Sequence, residues 1–213
     1  MTHIKCPLCN NLNTYFYSRD KKREYQQCRN CSTVFVTDQY HLSIENEKKR
    51  YDLHTNSKDD NYYSDFLNRI VTPITSFVEK GSHGLDFGSG PGPILKDLFK
   101  PFNIKLSEYD LYYNNDKSLL DRNWDFIVTT EVIEHLKKPY ETIKALWGLV
   151  KTGGVLGIMT SLLTEDIDFN SWYYKGDPTH ITFYTKNSFN WLAKELNATM
   201  FFFDKDITIL IKN

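Results

Sequence analysis

The sequence predicts an α/β fold whose sheet is largely parallel and ends in an antiparallel hairpin, with a small module in front of it. Three observations carry that expectation. From residue 83 onward, short apolar runs alternate with amphipathic stretches at helical spacing, the pattern of strand–helix–strand units. The first of those runs leads into a glycine-rich turn, "DFGSGPG". All four cysteines lie in the first 31 residues, as two C-x2-C pairs. The 213 residues suffice for one domain of ordinary size and a small appendage. We divide them as 1–40, a helical lead-in and lid segment at 41–82, and 83–213.

Forty per cent of the residues are hydrophobic and 15% are aromatic, enough for a sizeable core and contrary to disorder. A formal net charge of −1 gives no whole-protein field for nucleic acid. No apolar run approaches the roughly 18 residues of a membrane span. Met1 to Lys5 lead straight into the cysteines with no signal-peptide apolar region. A cytoplasmic protein without membrane contact is the expectation.

The front module comes first. "CPLC" (Cys6, Cys9) and "CRNC" (Cys28, Cys31) are separated by eighteen residues. Each pair closes a tight turn, and two such turns make a tetrahedral S4 site that suits Zn2+. Disulfides are disfavoured in a reducing compartment, and iron is a minor rival for S4 ligands. "TYFYSRD" and "REYQQC" alternate like the strands of a hairpin, with "STVFV" as a third strand. The module looks like a zinc ribbon. Four thiolates leave no open position for water, so the metal is expected to staple a small core rather than to catalyse. Six basic side chains (Lys5, Arg19, Lys21, Lys22, Arg23, Arg29) face three acidic ones in residues 1–40. With the −2 of a zinc–tetrathiolate centre the net is about +1. The "RDKKRE" cluster therefore reads as a solvated hairpin tip, and nucleic-acid docking there is not favoured.

Two helices follow. "SIENEKKRYDLHTNS" reads as a polar helix ending near His54. "DDNYYSDFLNRIVTPITSFVEKG" reads as an amphipathic one, capped by Asp59 or Asp60, kinked at Pro73 and stopped by Gly81. "GLDFG" is a short buried strand, "SGPGP" its turn, and "ILKDLFKPF" a helix with Pro93 in its first turn. "IKLSEYD" is a strand ending on Asp110, and Trp124 to Thr130 make another. "PYETIKALWGLVK" is a helix, "GGVLGIMTSL" a strand, and "TKNSFNWLAKELN" a helix capped by Thr185. "ATMFFF" and "DITILIK" form the closing hairpin. In such sheets ligands sit beyond the carboxyl ends of the strands.

The glycine turn selects among cofactors. A Walker loop needs Gly-Lys-Ser/Thr, but Pro93 and Ile94 follow Gly92. A dinucleotide fingerprint needs G-x-G-x-x-G, and Pro93 stands where its third glycine belongs. What remains, D-x-G-x-G-x-G, resembles motif I of the class I S-adenosylmethionine (SAM) methyltransferases. "DFIVTTEVIEHL" resembles that family's fourth-strand motif and "LVKTGGVLGIMT" its fifth-strand approach. Outside these motifs the chain is similar to bacterial members with an N-terminal zinc ribbon.

The resemblance implies a Rossmann-like sheet and a SAM site built from Asp86, Phe87, Gly88, Gly90, Gly92, Asp110, Leu111, Thr130 and Glu131. Glycines let the backbone approach the cofactor. Asp86 would face the methionine ammonium through water, and Asp110 the ribose hydroxyls. One departure stands out. Only thirteen residues separate Asp110 from Trp124, too few for the family's second helix and third strand. The adenine wall must come from that short stretch, with Leu111, Asp116, Leu119 and Leu120 available.

Methyl transfer is an in-line displacement that needs a positioned nucleophile and a water-free site. The acceptor wall is expected in "NSWYYKGDPTHITFYT", with Trp172, Tyr173 and Tyr174 packing the acceptor. Asp177 and His180 are the candidate proton-transfer pair. His135 is expected to face the acceptor, and Tyr51 and His54 to close over the cofactor. The leading expectation is a SAM-dependent methyltransferase with a small-molecule acceptor. An RNA methyltransferase docking through the ribbon is the second reading, and a non-catalytic SAM-fold protein the third.

Overall fold

A computed structural model describes residues 4–53 and 61–213. His54, Asp59 and Asp60 lie outside the described residues. In chain order the strands and helices are β1 (Thr14–Arg19), β2 (Glu24–Cys28), β3 (Val34–Val36), α1 (Ile44–Tyr51), α2 (Asn61–Thr75), β4 (His83–Phe87), α3 (Leu95–Phe99), β5 (Lys105–Tyr109), β6 (Trp124–Thr130), α4 (Pro139–Leu149), β7 (Val150–Met159), β8 (Thr182–Phe183), α5 (Lys186–Glu195), β9 (Ala198–Phe203) and β10 (Ile207–Lys212).

The main sheet has the order β5-β4-β6-β7-β10-β9. The first four strands run parallel, while β10 is antiparallel to both β7 and β9. This is the Rossmann-like arrangement the sequence predicts, with its terminal hairpin. The sheet stops at β5 on one edge. Residues 111–123 hold a bridge between Asp110 and Asn114 and a short 3-10 helix, Lys117–Asp121, in place of a further helix and strand.

Each face of the sheet is covered. Leu67, Ile70, Val71 and Ile74 of α2, with Leu95 and Phe99 of α3, pack on Phe126, Val128, Val155 and Ile209. On the other face Ile143 and Leu146 of α4 and Phe189 and Leu192 of α5 pack on Leu85, Ile127, Leu156 and Ile158. Helix α5 is capped as its sequence predicts: Thr185 Oγ1 accepts from the Ser188 amide and Ser188 Oγ from the Thr185 amide. Two boundaries differ from expectation. Helix α2 ends at Thr75, well before Gly81, with Pro73 in its last turn; there Ser76 and Phe77 bond only three residues back. Pro93 precedes α3 rather than opening it, since the helix begins at Leu95.

The front module forms a four-stranded sheet, β1-β2-β3-β8, whose last strand comes from residues 182–183. Val34 pairs with Phe183 and Phe35 with Thr182, and the Val36 amide donates to the Ile181 carbonyl at 3.0 Å. The seam is also apolar. Tyr25, Val34 and Val36 share one buried cluster with Phe169, Trp172, Ile181 and Phe183. So the loop between β7 and α5 shares its core with β2 and β3.

Arg23 reinforces the seam. It is 7% exposed, and its guanidinium donates to the carbonyls of Lys175, Asp177, Pro178 and His180. This corrects the reading of "RDKKRE" as a wholly solvated tip. Asp20 also turns inward, accepting from Tyr25 Oη at 2.6 Å and Lys175 Nζ at 3.2 Å. A guanidinium offers five donors in a planar fork against the three of an ammonium, and hydrogen bonds from a charged donor contribute about 1.5–3 kcal/mol each before non-additivity. We expect Arg23→Ala to lower unfolding stability by about 2–3 kcal/mol in urea, and Arg23→Lys to recover little of it. Equal stability of Arg23→Lys and wild type would contradict this assignment.

Candidate active site

A cleft of about 790 Å³ opens at the carboxyl ends of β4, β5 and β6. The glycine turn forms one wall. The Gly88 amide donates to the Tyr109 carbonyl at 2.8 Å. Gly88 and Gly90 have φ of +83° and +68°, a region that suits glycine. A Cβ on Gly88 would stand 2.4 Å from Val132 Cγ2. Asp110 ties this turn to the end of β5. Its Oδ2 accepts from the Gly90 amide at 2.9 Å, and its Oδ1 from the amides of Tyr112 and Tyr113 at 2.8 and 3.1 Å. A carboxylate has about four lone pairs, so acceptor capacity remains.

Asp86 lies beneath the turn, 2% exposed. Its Oδ1 is buried and has no hydrogen-bond partner among the described residues. Burial, with the charges of Glu108 and Asp110, pushes its carboxyl up to about 8. A buried acceptor without a donor is costly, and a cationic ligand in the cleft would relieve it. Glu131 follows β6 in the left-handed region, φ +53°, a strained place for a glutamate. Burial and the charge of Glu134 push its carboxyl up to about 9.

The cleft brings together most of the expected residues. Asp86, Phe87, Gly88, Gly90, Asp110, Leu111, Thr130 and Glu131 line it, as do Tyr51, His135, Tyr173, Tyr174, Asp177 and His180. Three expectations are not met. Gly92 is not among the lining residues. Trp172 is 8% exposed and turned away, against Phe169, Tyr174 and Phe183, in the buried cluster that Tyr25, Val34 and Val36 complete. The side chains of Asp177 and His180 do not bond each other; the two residues meet only through the backbone, the His180 amide donating to the Asp177 carbonyl at 3.2 Å. Asp177 Oδ2 accepts from Arg50 at 2.8 Å and Oδ1 from the Thr179 amide at 2.9 Å. Burial alone would raise its carboxyl, but those bonds hold it well below the usual range. His180 Nδ1 instead meets the Tyr174 carbonyl at 2.7 Å. Burial lowers this imidazole to about 4.

Other residues enter that the sequence did not single out. Tyr112 and Tyr113 line the cleft beside Leu111, whereas Leu119 is buried and Asp116 caps the 3-10 helix through the Ser118 amide at 3.0 Å. From α1, Arg50 reaches Asp177, and the Tyr51 ring packs edge-on against His135 at 5.3 Å. Glu134 is fully buried; its Oε1 accepts from Tyr174 Oη at 2.5 Å and its Oε2 from Thr160 Oγ1 at 3.0 Å. The flanking carboxylate of "EVIEHL" thus faces inward rather than capping a helix.

The cysteines converge away from the cleft. Cys6 and Cys31 sulfurs are 3.6 Å apart, and those of Cys9 and Cys28 3.4 Å; all four lie within 4.8 Å of one another and none is in a disulfide. The edge of a ZnS4 tetrahedron with bonds of about 2.3 Å is about 3.8 Å. The two knuckles are alike. In each, the amide of the residue after the second cysteine (Asn10, Ser32) bonds the carbonyl of the first, and that residue has φ near +58° or +59°. The residues present fit a tetrahedral thiophilic ion.

Comparison with known proteins agrees with the geometry. Residues 55–201 match the family model described as a methyltransferase domain. The fold is similar to that of DesVI from Streptomyces venezuelae, with a TM-score of 0.57, 13% identity, and 82% of this chain and 100% of that one covered. It is similar to human N-acetylserotonin methyltransferase in complex with SAM, with a TM-score of 0.56, 14% identity, and coverage of 78% and 56%. It is also similar to magnesium protoporphyrin IX methyltransferase from Synechocystis with bound S-adenosylhomocysteine, with a TM-score of 0.54, 11% identity, and coverage of 83% and 97%. A search among curated proteins finds no match. The family match spans well over half of the chain, which therefore belongs to the methyltransferase-domain family and is a SAM-dependent methyltransferase.

Proposed function

We propose that the chain methylates a small-molecule acceptor bound in the same cleft as the cofactor. The observation that carries this reading is the size and lining of the cleft. Its volume of about 790 Å³ lies within the range of small-molecule sites, about 300–1,000 Å³. Tyr173, Tyr174, Asp177 and His180 of the loop after β7 line it opposite the glycine turn. When bound, SAM supplies a methyl group on a cationic sulfur. Asp86, with its partnerless Oδ1, would meet the cofactor's ammonium, and Asp110 would use its remaining lone pairs on the ribose. Leu111, Tyr112 and Tyr113 would flank the adenine in place of the missing third strand. His135 and His180 stand at the acceptor end, and Arg50 holds Asp177, and with it the loop, against α1. Trp172 shapes this wall from behind.

In this reading the four cysteines hold Zn2+, and the metal acts on the wall rather than on the reaction. An RNA acceptor is the rival. It requires an electropositive approach, whereas the cleft carries Asp86, Asp110, Glu131 and Asp177.

Titration calorimetry should find one saturable SAM site, weakened roughly 10- to 100-fold in Asp86→Asn, the loss expected for a charged hydrogen bond. Undiminished binding by that variant would remove Asp86 from the site. Elemental analysis of the purified protein should give one zinc per chain. RNA affinity that falls steeply with salt would favour the rival acceptor; no RNA binding at low salt is the expected result.

A further inference from the structure

Beside the loop wall of the cleft a buried carboxylate and two imidazoles converge. They are the carboxylate of Glu134 and one ring nitrogen each of His135 and His180, all within 4.8 Å of one another. The tautomers follow from the backbone. His135 Nδ1 meets the Thr179 carbonyl at 3.1 Å, and His180 Nδ1 meets the Tyr174 carbonyl at 2.7 Å. A carbonyl only accepts, so both Nδ1 atoms carry the proton and both Nε2 atoms present a lone pair. His135 Nε2 stands 3.9 Å from Glu134 Oε1. His180 is 8% exposed, and its Nε2 receives no hydrogen bond from any described residue.

Buried acceptors are ordinarily paired with donors; Glu134 is held by Tyr174 and Thr160, whereas neither Nε2 is given a donor by any described residue. Imidazoles whose other nitrogen donates to a backbone carbonyl are the usual arrangement around a bound metal. Ligand bonds of about 2.0–2.2 Å allow separations up to about 4.3 Å, a span that the 3.9 Å between His135 Nε2 and Glu134 Oε1 meets. Two imidazoles and one carboxylate also leave coordination positions open toward the cleft.

We infer that Glu134, His135 and His180 form a second metal site, for a first-row divalent cation at the acceptor end of the cleft. It is distinct from the cysteine cluster in ligand chemistry and place. Thiolates select zinc, whereas a site of two imidazoles and a carboxylate also accepts harder ions such as Mn2+. Metal binding is read without turnover, so it stands or falls separately from the choice of acceptor and from SAM affinity.

The test uses the full chain with zinc already in the cysteine site. Mn2+ is titrated in, and the free-ion electron paramagnetic resonance signal is followed. One saturable Mn2+ per chain is expected. His135→Ala and His180→Ala, on different segments, should each weaken it by at least about tenfold, the lower end of what outer-sphere changes alone cost. Circular dichroism and melting establish that each variant is folded, and His135→Gln and His180→Gln stand in for any alanine variant that is not. No saturable binding at millimolar Mn2+ would overturn the proposal and leave the two imidazoles as proton acceptors. Binding unchanged in both folded histidine variants would overturn it equally, because the ion would then sit elsewhere.

Discussion

The pairing of β3 with β8 is the contact on which the acceptor side of this enzyme depends. It is short, with two residues of β8, yet it decides where the loop after β7 lies. Residues 163–181 contribute Phe169, Trp172, Tyr174 and Ile181 to a buried cluster whose other members include Tyr25, Val34 and Val36 from the front module. Arg23 then satisfies four carbonyls of the same loop. Detached from the front module, this segment would expose its apolar side chains and lose the donors for its carbonyls. The cysteine cluster fixes the turns that carry β2 and β3. The front module thus frames one wall of the cleft.

The two walls are built on different principles. The cofactor wall is backbone. Glycines with positive φ, amides gathered by Asp110 and the Tyr109 carbonyl set its shape, and Asp86 lies beneath it with one oxygen unmatched. The acceptor wall is side chain. Histidines, tyrosines and buried carboxyls are aimed by a loop that the front module holds. The carboxyls of Asp86 and Glu131 line the cleft, and burial raises both, so a cationic ligand such as a sulfonium cofactor would stabilise their ionised forms.

Much of the fold was legible because the signals are local. Apolar runs of strand length, the glycine turn, the Thr185 cap and the cysteine spacing each depend on a few neighbouring residues. The missing third strand was legible from chain length alone. What escaped depends on contacts between distant residues. Trp172 has the composition of a binding residue, but it packs on Phe169, Tyr174 and Phe183, and two of those rings are met by Tyr25, far off in sequence. Arg23 sits in a charged run that looks solvated, and the loop across the seam gives its guanidinium four carbonyls. Asp177 and His180 are close in sequence, yet Arg50 and the Tyr174 carbonyl draw their side chains to different partners. Nothing near Glu134 in sequence announces Thr160 and Tyr174 as its partners.

If the cysteine-bearing module holds the loop wall of the cleft, hydrogen exchange of the full chain loaded with Zn2+ and after chelation tests it most directly. Chelation is expected to strip protection from the amides of residues 179–184 while those of β4 and β6 keep theirs. Unchanged protection at 179–184 in the chelated chain would contradict it.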